Sequence, residues 1–235
     1  MNQVPVNQVP VNPVPVNAVY MPVRVWDLPT RLFHWAIVLL VGFSWLSQEL
    51  EWMDWHKLSG YTILTLLLFR LAWGFVGSET ARFRQFLASP LAALRHLSHL
   101  ARREPDHEVG HNAAGGWMVL LMLLLLAAQV ATGLCANDDV MLEGPFAKFV
   151  GKAVSDRLSV IHSRNFNLIE AAIFLHLAAI LTYALLKRHD LVRPMITGRK
   201  RLPANLAAPT LARPLRAVAL LAVAIAAVAL AVNLL

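Results

Sequence analysis

Five long apolar segments limit what this chain can fold into. They lie near residues 32–48, 57–76, 115–136, 166–186 and 217–235. An α-helix needs about 20 residues to cross the hydrocarbon core of a bilayer, and the third segment carries no charged side chain. The composition agrees, because 57% of the residues are hydrophobic and only 15% are charged. We predict an all-α membrane protein in which a four-helix transmembrane bundle is followed by a fifth, C-terminal transmembrane helix.

Basic residues flank these segments, which accounts for the formal net charge of +7 without a nucleic-acid partner. If the N-terminus is cytoplasmic, the cytoplasmic segments hold fifteen Lys and Arg residues and the external loops hold five. Cytoplasmic segments of membrane proteins carry an excess of Lys and Arg. The chain is therefore predicted to lie in the bacterial inner membrane with its N-terminus in the cytoplasm and its C-terminus in the periplasm.

The organisation of the chain follows from these segments. Residues 1–22 repeat units of the form Asn-x-Val-Pro-Val and are predicted to be a disordered cytoplasmic tail, because dense proline excludes a helix. Residues 23–190 would form the bundle, residues 191–216 a basic cytoplasmic linker, and the rest the last helix. Cys135 is the only cysteine, which excludes an internal disulfide and the Cys-x-x-Cys-His attachment of a c-type haem.

Histidines at the apolar segments indicate a cofactor. Polar side chains inside a membrane are costly and usually functional, and a neutral imidazole can bind haem iron through one ring nitrogen. His162 and His176 are 14 residues apart, which is just under four helical turns and about 21 Å along one helix face. One helix could therefore provide a ligand to each of two haems. This requires the helix to begin before its apolar stretch, with a cap near Ser155 or Asp156.

The partner ligands must come from other helices at matching depth. His56 is predicted on the outer side with His162, and His34 on the inner side with His176. His111, just before the third segment, is the alternative to His34. Two axial histidines leave the iron no open position, which favours electron transfer over binding of a substrate to the iron.

Three further residues are predicted to support the haems. Arg31 and Arg70 lie near inner helix ends and could pair with haem propionates. Gly60 lies one turn after His56 and could let a flat porphyrin approach the backbone. The alternatives are a lipid-headgroup anchor for Arg31 and ordinary helix packing for Gly60.

Taken together, these stretches resemble a family that comprises prokaryotic cytochrome b561, the cytochrome b subunit of nickel-iron hydrogenase and the membrane subunit of formate dehydrogenase. The resemblance covers about residues 23 to 190. It rests on Trp26-Asp-Leu-Pro-Thr-Arg-Leu-Phe-His34-Trp35, His56-Lys-Leu-Ser-Gly60, Arg70-Leu-Ala-Trp73-Gly74, His111-Asn-Ala-Ala-Gly115-Gly116-Trp117 and the spacing from His162 to His176.

The resemblance implies two non-covalent haem b groups, one held by His34 and His176 and the other by His56 and His162. It also implies quinone as a substrate and a periplasmic c-type cytochrome, dehydrogenase or hydrogenase subunit as a partner. Three functions stay open: an electron-transfer subunit, a stand-alone superoxide:quinone oxidoreductase, and a non-redox membrane scaffold or haem-handling protein. No set of residues marks the quinone pocket.

Overall fold

The structure, a computed structural model, describes residues 19–98, 108–139 and 142–233. Residues 1–18, the greater part of the predicted tail, lie outside this description. The chain divides into two compact units. The first unit comprises Met1–Leu32, Ala72–Val119 and Leu175–Ala217, and the second comprises Phe33–Leu71, Leu120–Phe174 and Val218–Leu235.

The described part of the chain is mostly helical. In chain order the helices are α1 (Leu28–Glu49), α2 (Met53–Val76), α3 (Phe83–Phe86), α4 (Pro90–Ser98), α5 (Ala113–Gly133), α6 (Ala147–Val150), α7 (Lys152–Thr182), α8 (Val192–Thr197) and α9 (Pro214–Asn233). A 3₁₀ turn covers Glu79–Ala81, and α7 continues as a π-helical turn over Tyr183–Lys187. Five of these helices, α1, α2, α5, α7 and α9, are long and apolar enough to cross a membrane. The predicted fold class is confirmed.

Helix α1 begins four residues before the predicted apolar segment because Asp27 caps it. The backbone N–H of Thr30 donates to Oδ1 of Asp27 at 2.7 Å, and the indole N–H of Trp73 donates to Oδ2 at 3.1 Å. A capping carboxylate satisfies amide groups that have no partner inside the first helical turn. Pro29 fits the same turn, where its missing N–H costs nothing. The first stretch of the resemblance is thus explained as a buried helix start.

Helix α7 begins before its apolar stretch, as predicted, but not at the predicted cap. It starts at Lys152, after Gly151, whose φ of 75° is accessible to glycine without steric cost. Ser155 lies inside the helix and donates to the carbonyl of Cys135 at 2.6 Å. Asp156 accepts a hydrogen bond from Asn137 at 2.9 Å. The prediction of a cap at Ser155 or Asp156 was wrong, because both side chains form hydrogen bonds with the segment that follows α5 instead.

A small antiparallel ribbon in the first unit was not predicted. Strand β1 (Tyr20–Arg24) pairs with β2 (Arg199–Pro203), so that the end of the predicted tail and part of the predicted basic linker are strands. One side of the ribbon packs into a hydrophobic cluster formed by Val25, Trp26, Val109 and Leu202. Pairing between segments this distant along the chain leaves no local periodic pattern, which is why sequence reasoning missed it.

Candidate functional site

His56 and His162, one of the two predicted histidine pairs, lie close together in the second unit. His56 on α2 and His162 on α7 are both half-buried, with ring centroids 6.1 Å apart and an angle of 79° between the ring planes. Both rings line a cavity of about 540 Å³. A cavity of this size falls within the range of small-molecule and cofactor sites.

Each of these rings is held by a backbone carbonyl of a neighbouring helix. Nδ1 of His56 lies 2.9 Å from the carbonyl oxygen of Ser44 on α1, and Nδ1 of His162 lies 2.9 Å from that of Gln129 on α5. A carbonyl can only accept, so in both rings Nδ1 carries the proton and Nε2 keeps its lone pair. Metal-binding histidines are held in the same way, with the second ring nitrogen donating to a carbonyl or carboxylate.

The side-chain amide of Gln129 contacts the other nitrogen of His162. The two Nε2 atoms are 3.2 Å apart, and Oε1 of Gln129 accepts a hydrogen bond from Asn165 at 2.7 Å. Asn165 also donates to the carbonyl of Leu125 at 2.9 Å, which fixes the orientation of both amides. Gln129 therefore donates to the lone pair of His162. A metal ion bound at that nitrogen would replace this hydrogen bond.

Two glycines shape the wall of the cavity. A Cβ atom added to Gly60 would meet no atom within 4 Å, so this position leaves open space. A Cβ atom added to Gly133 would lie 2.8 Å from Cε1 of His162, closer than real contacts of this kind. Helix α5 can approach the His162 ring only because Gly133 has no side chain.

The cavity combines apolar wall with an excess of negative charge. Its apolar lining includes Val41, Ile63, Leu126 and Val130. Its charged lining consists of four carboxylates and one ammonium group, from Glu49, Asp138, Glu143, Glu170 and Lys57.

His34 and His176, the other predicted pair, belong to different compact units. His34 on α1 is part of the second unit, where its ring is nearly perpendicular to that of Trp35, with 4.9 Å between the ring centroids. His176 on α7 is half-buried and is part of the first unit. Arg70, predicted to bind a propionate, lies on α2 and is only 3% exposed.

The remaining predicted residues lie in the first unit. His111, the alternative ligand, packs between aromatic rings, with centroid distances of 4.6 Å to Trp26 and 5.0 Å to Phe86. The guanidinium group of Arg31 donates to the backbone carbonyl of Ile196. His111 and Arg31 therefore both take part in the packing of the first unit.

Sequence reasoning missed the residues that orient the two rings. Gln129 interrupts an otherwise apolar stretch of α5 and Asn165 is buried within α7. Because polar residues inside a membrane are usually functional, both could have been found. The carbonyls of Ser44 and Gln129 leave no signal in a sequence, since every residue has one.

The five spanning helices define the class of protein, a multi-pass helical membrane protein. Residues 25–198 match the family described as prokaryotic cytochrome b561, and the chain belongs to that family. The family consists of bacterial membrane proteins that bind haem b and transfer electrons. No curated protein and no solved structure matches the chain.

The side chains around the cavity fit a haem. The two ring centroids are 6.1 Å apart, which is close enough for both imidazoles to bind one cofactor. Because Nδ1 carries the proton in both rings, a metal could bind at Nε2, where it would replace the hydrogen bond from Gln129 to His162. Neutral imidazole suits iron. The apolar wall and the open space at Gly60 provide the surroundings that a porphyrin ring requires.

Proposed function

We propose that the chain is a di-haem b-type cytochrome that transfers electrons across the bacterial inner membrane, between a periplasmic redox partner and the quinone pool. The observation that carries this proposal is the pair of His56 and His162 on one cavity, with Nδ1 of each ring donating to a backbone carbonyl.

His56 and His162 are the residues proposed to hold the outer haem. A haem held there would supply a one-electron carrier. The carbonyls of Ser44 and Gln129 keep the imidazoles in the tautomer that binds iron and raise their basicity as ligands. Gly60 and Gly133 keep the space beside the rings free of side chains.

His34 and His176 are the proposed ligands of the inner haem, and this assignment rests on the resemblance to the family. It is supported by the 36-residue helical stretch Lys152–Lys187, which carries both His162 and His176 without a break. Arg31 and Arg70 are the proposed partners of haem propionates, since a guanidinium group can bind a carboxylate through two hydrogen bonds.

The charge on the predicted external loops favours a cationic periplasmic partner, such as a small basic c-type cytochrome. These loops hold seven carboxylates and five basic residues, so they attract a positively charged protein more than an anion such as superoxide. An electron-transfer subunit is therefore preferred to a stand-alone superoxide:quinone oxidoreductase. A hydrogenase or dehydrogenase subunit is the alternative partner. A scaffold without redox activity would not need two histidines oriented as metal ligands.

Quinol reduction tests the proposed function. We expect the purified protein to show a b-type haem band in a reduced-minus-oxidised spectrum and quinol to reduce that band. Oxidation by a basic c-type cytochrome should slow as the salt concentration rises, because salt screens the attraction between opposite charges. Haems that stay oxidised with quinol, but are reduced by superoxide and reoxidised by quinone, would favour the stand-alone enzyme. A protein without a haem signal would favour the scaffold.

The proposed orientation has its own test. Fifteen Lys and Arg residues on one side against five on the other favour a cytoplasmic N-terminus. With five spans, the C-terminus is then periplasmic. A reporter that is active only in the cytoplasm, fused after Leu235, should be silent, while the same reporter fused before Met1 should be active. The opposite pattern would mean that the chain is inverted, and two active fusions would mean that α9 does not cross the membrane.

A further inference from the structure

The ribbon of β1 and β2 carries three arginines on one face. Arg24 lies directly opposite Arg199, and Pro22 lies opposite Arg201. Side chains alternate along a strand, and directly paired residues share a face, so the three arginines project from the same side. All three are exposed. The ribbon therefore presents a compact cationic surface, which we call the arginine face.

The other side of the ribbon is anchored to the first unit. Val23 and Leu202 pack in the hydrophobic cluster with Val25 and Trp26, and Leu202 is fully buried. Lys200, between the two arginines of β2, donates to the carbonyl of Glu108 at 2.7 Å. Because one side is held in this way, the arginines cannot turn inward, and their orientation is fixed by the ribbon.

The pair of Arg24 and Arg199 is unfavourable by itself. Like charges directly opposite each other destabilise an antiparallel pair. In the part of the chain that the structure describes, no ion pair involves the three arginines of the arginine face. An external anion would remove the repulsion, and a phosphate group matches the fork of a guanidinium group.

The position of the ribbon identifies the source of that anion. β1 ends only four residues before α1 begins, and the backbone N–H groups of Val25 and Trp26 donate to the carbonyl of Gly198, just before β2. The arginine face is thus tied to the end of a helix long and apolar enough to span a membrane, and the ends of such helices are expected near the lipid headgroups. Large apolar side chains are also exposed nearby, namely Met21 on the opposite side of β1, and Val192 and Ile196 on α8, which precedes β2. Exposed apolar residues beside arginines fit the boundary between headgroups and acyl chains.

We propose that the arginine face of the ribbon binds the phosphate headgroup of an anionic phospholipid. Clusters of basic residues next to a transmembrane helix attract anionic lipids, and each basic residue contributes about a fivefold increase in affinity. This site uses none of the proposed haem ligands and does not depend on the direction of electron transfer. Bound lipid would stabilise the ribbon, which joins the segment before α1 to the segment before α9.

The test uses the full chain with its bound haem, in nanodiscs of phosphatidylcholine that contain from none to about half phosphatidylglycerol. The measurement is the thermal unfolding midpoint as a function of the phosphatidylglycerol fraction. We expect the midpoint of the wild-type protein to rise with that fraction and then to level off. The double variant R24Q/R199Q should need roughly 25 times more phosphatidylglycerol for the same rise. R157Q, which removes one exposed arginine from α7, is the control and should respond within twofold of the wild type.

Three outcomes would overturn the proposal. The first is an unfolding midpoint of the wild-type protein that does not depend on phosphatidylglycerol. The second is an R24Q/R199Q midpoint that responds to phosphatidylglycerol in the same way as that of R157Q. A third is an equal rise with inorganic phosphate in pure phosphatidylcholine, because a free anion would then be the ligand. If R24Q/R199Q does not fold, the single variant R201Q should shift the response about fivefold. The charge-retaining variant R24K/R199K should recover only part of the response, because lysine keeps the charge but cannot bind phosphate through two parallel hydrogen bonds.

Discussion

Replacement of His162 by Leu is expected to lower the haem content from two to one per chain, because the outer haem loses one of its two proposed ligands. His56→Leu should have the same effect. The double variant H56L/H162L is the decisive measurement. If both histidines bind the same haem, replacing both should still remove only one haem. The haem content is measured as the pyridine haemochromogen per mole of folded protein.

Three results would contradict these ligand assignments, and each has a different meaning. A double variant without haem would mean that His56 and His162 bind different haems, and unchanged content in both single variants would mean that neither is a ligand. His111→Leu is the control and should retain both haems, because its ring packs between Trp26 and Phe86. Loss of one haem in that variant would make His111 a ligand in place of His34. Circular dichroism shows whether each variant keeps its helices.

Substitution of Gly133 by Val is expected to remove the outer haem without changing any ligand. A Cβ atom at this position would lie 2.8 Å from Cε1 and 3.1 Å from Nδ1 of His162, so the ring must move. Movement of the ring breaks its 2.9 Å hydrogen bond to the carbonyl of Gln129. Loss of such a bond to a ligand typically lowers metal affinity about 10- to 100-fold.

Gly42→Val is the matched control for this substitution. Gly42 also lies within a spanning helix, but it is exposed and does not line the cavity, and a Cβ atom there would meet no atom within 4 Å. We expect G42V to retain two haems, as measured by haem titration of protein purified in the same detergent. If G42V and G133V lose haem equally, the effect comes from valine in a spanning helix and not from the His162 ring. Retention of both haems in G133V would show that His162 does not need its observed orientation.

The sequence by itself determined the helical membrane fold and the family. Long apolar segments have few alternatives to spanning helices, because a bilayer offers no partner for free backbone groups. The stretches around His34, His56 and His111 were sufficient to identify the family, which the match over residues 25–198 confirms. The spacing of His162 and His176 also required α7 to extend beyond its apolar stretch, and α7 does so.

Only the tertiary structure decided how the histidines are surrounded. Depth in the membrane predicted that His56 and His162 share a side, but the distance between their rings depends on how α2 and α7 pack. The carbonyls of Ser44 and Gln129 that fix the tautomer depend on helix rotation, and the contact of Gly133 with His162 depends on helix separation. The ribbon of β1 and β2 joins segments at opposite ends of the chain. Hydropathy and spacing act within one helix, whereas these features arise between elements, and no local pattern in the sequence encodes them.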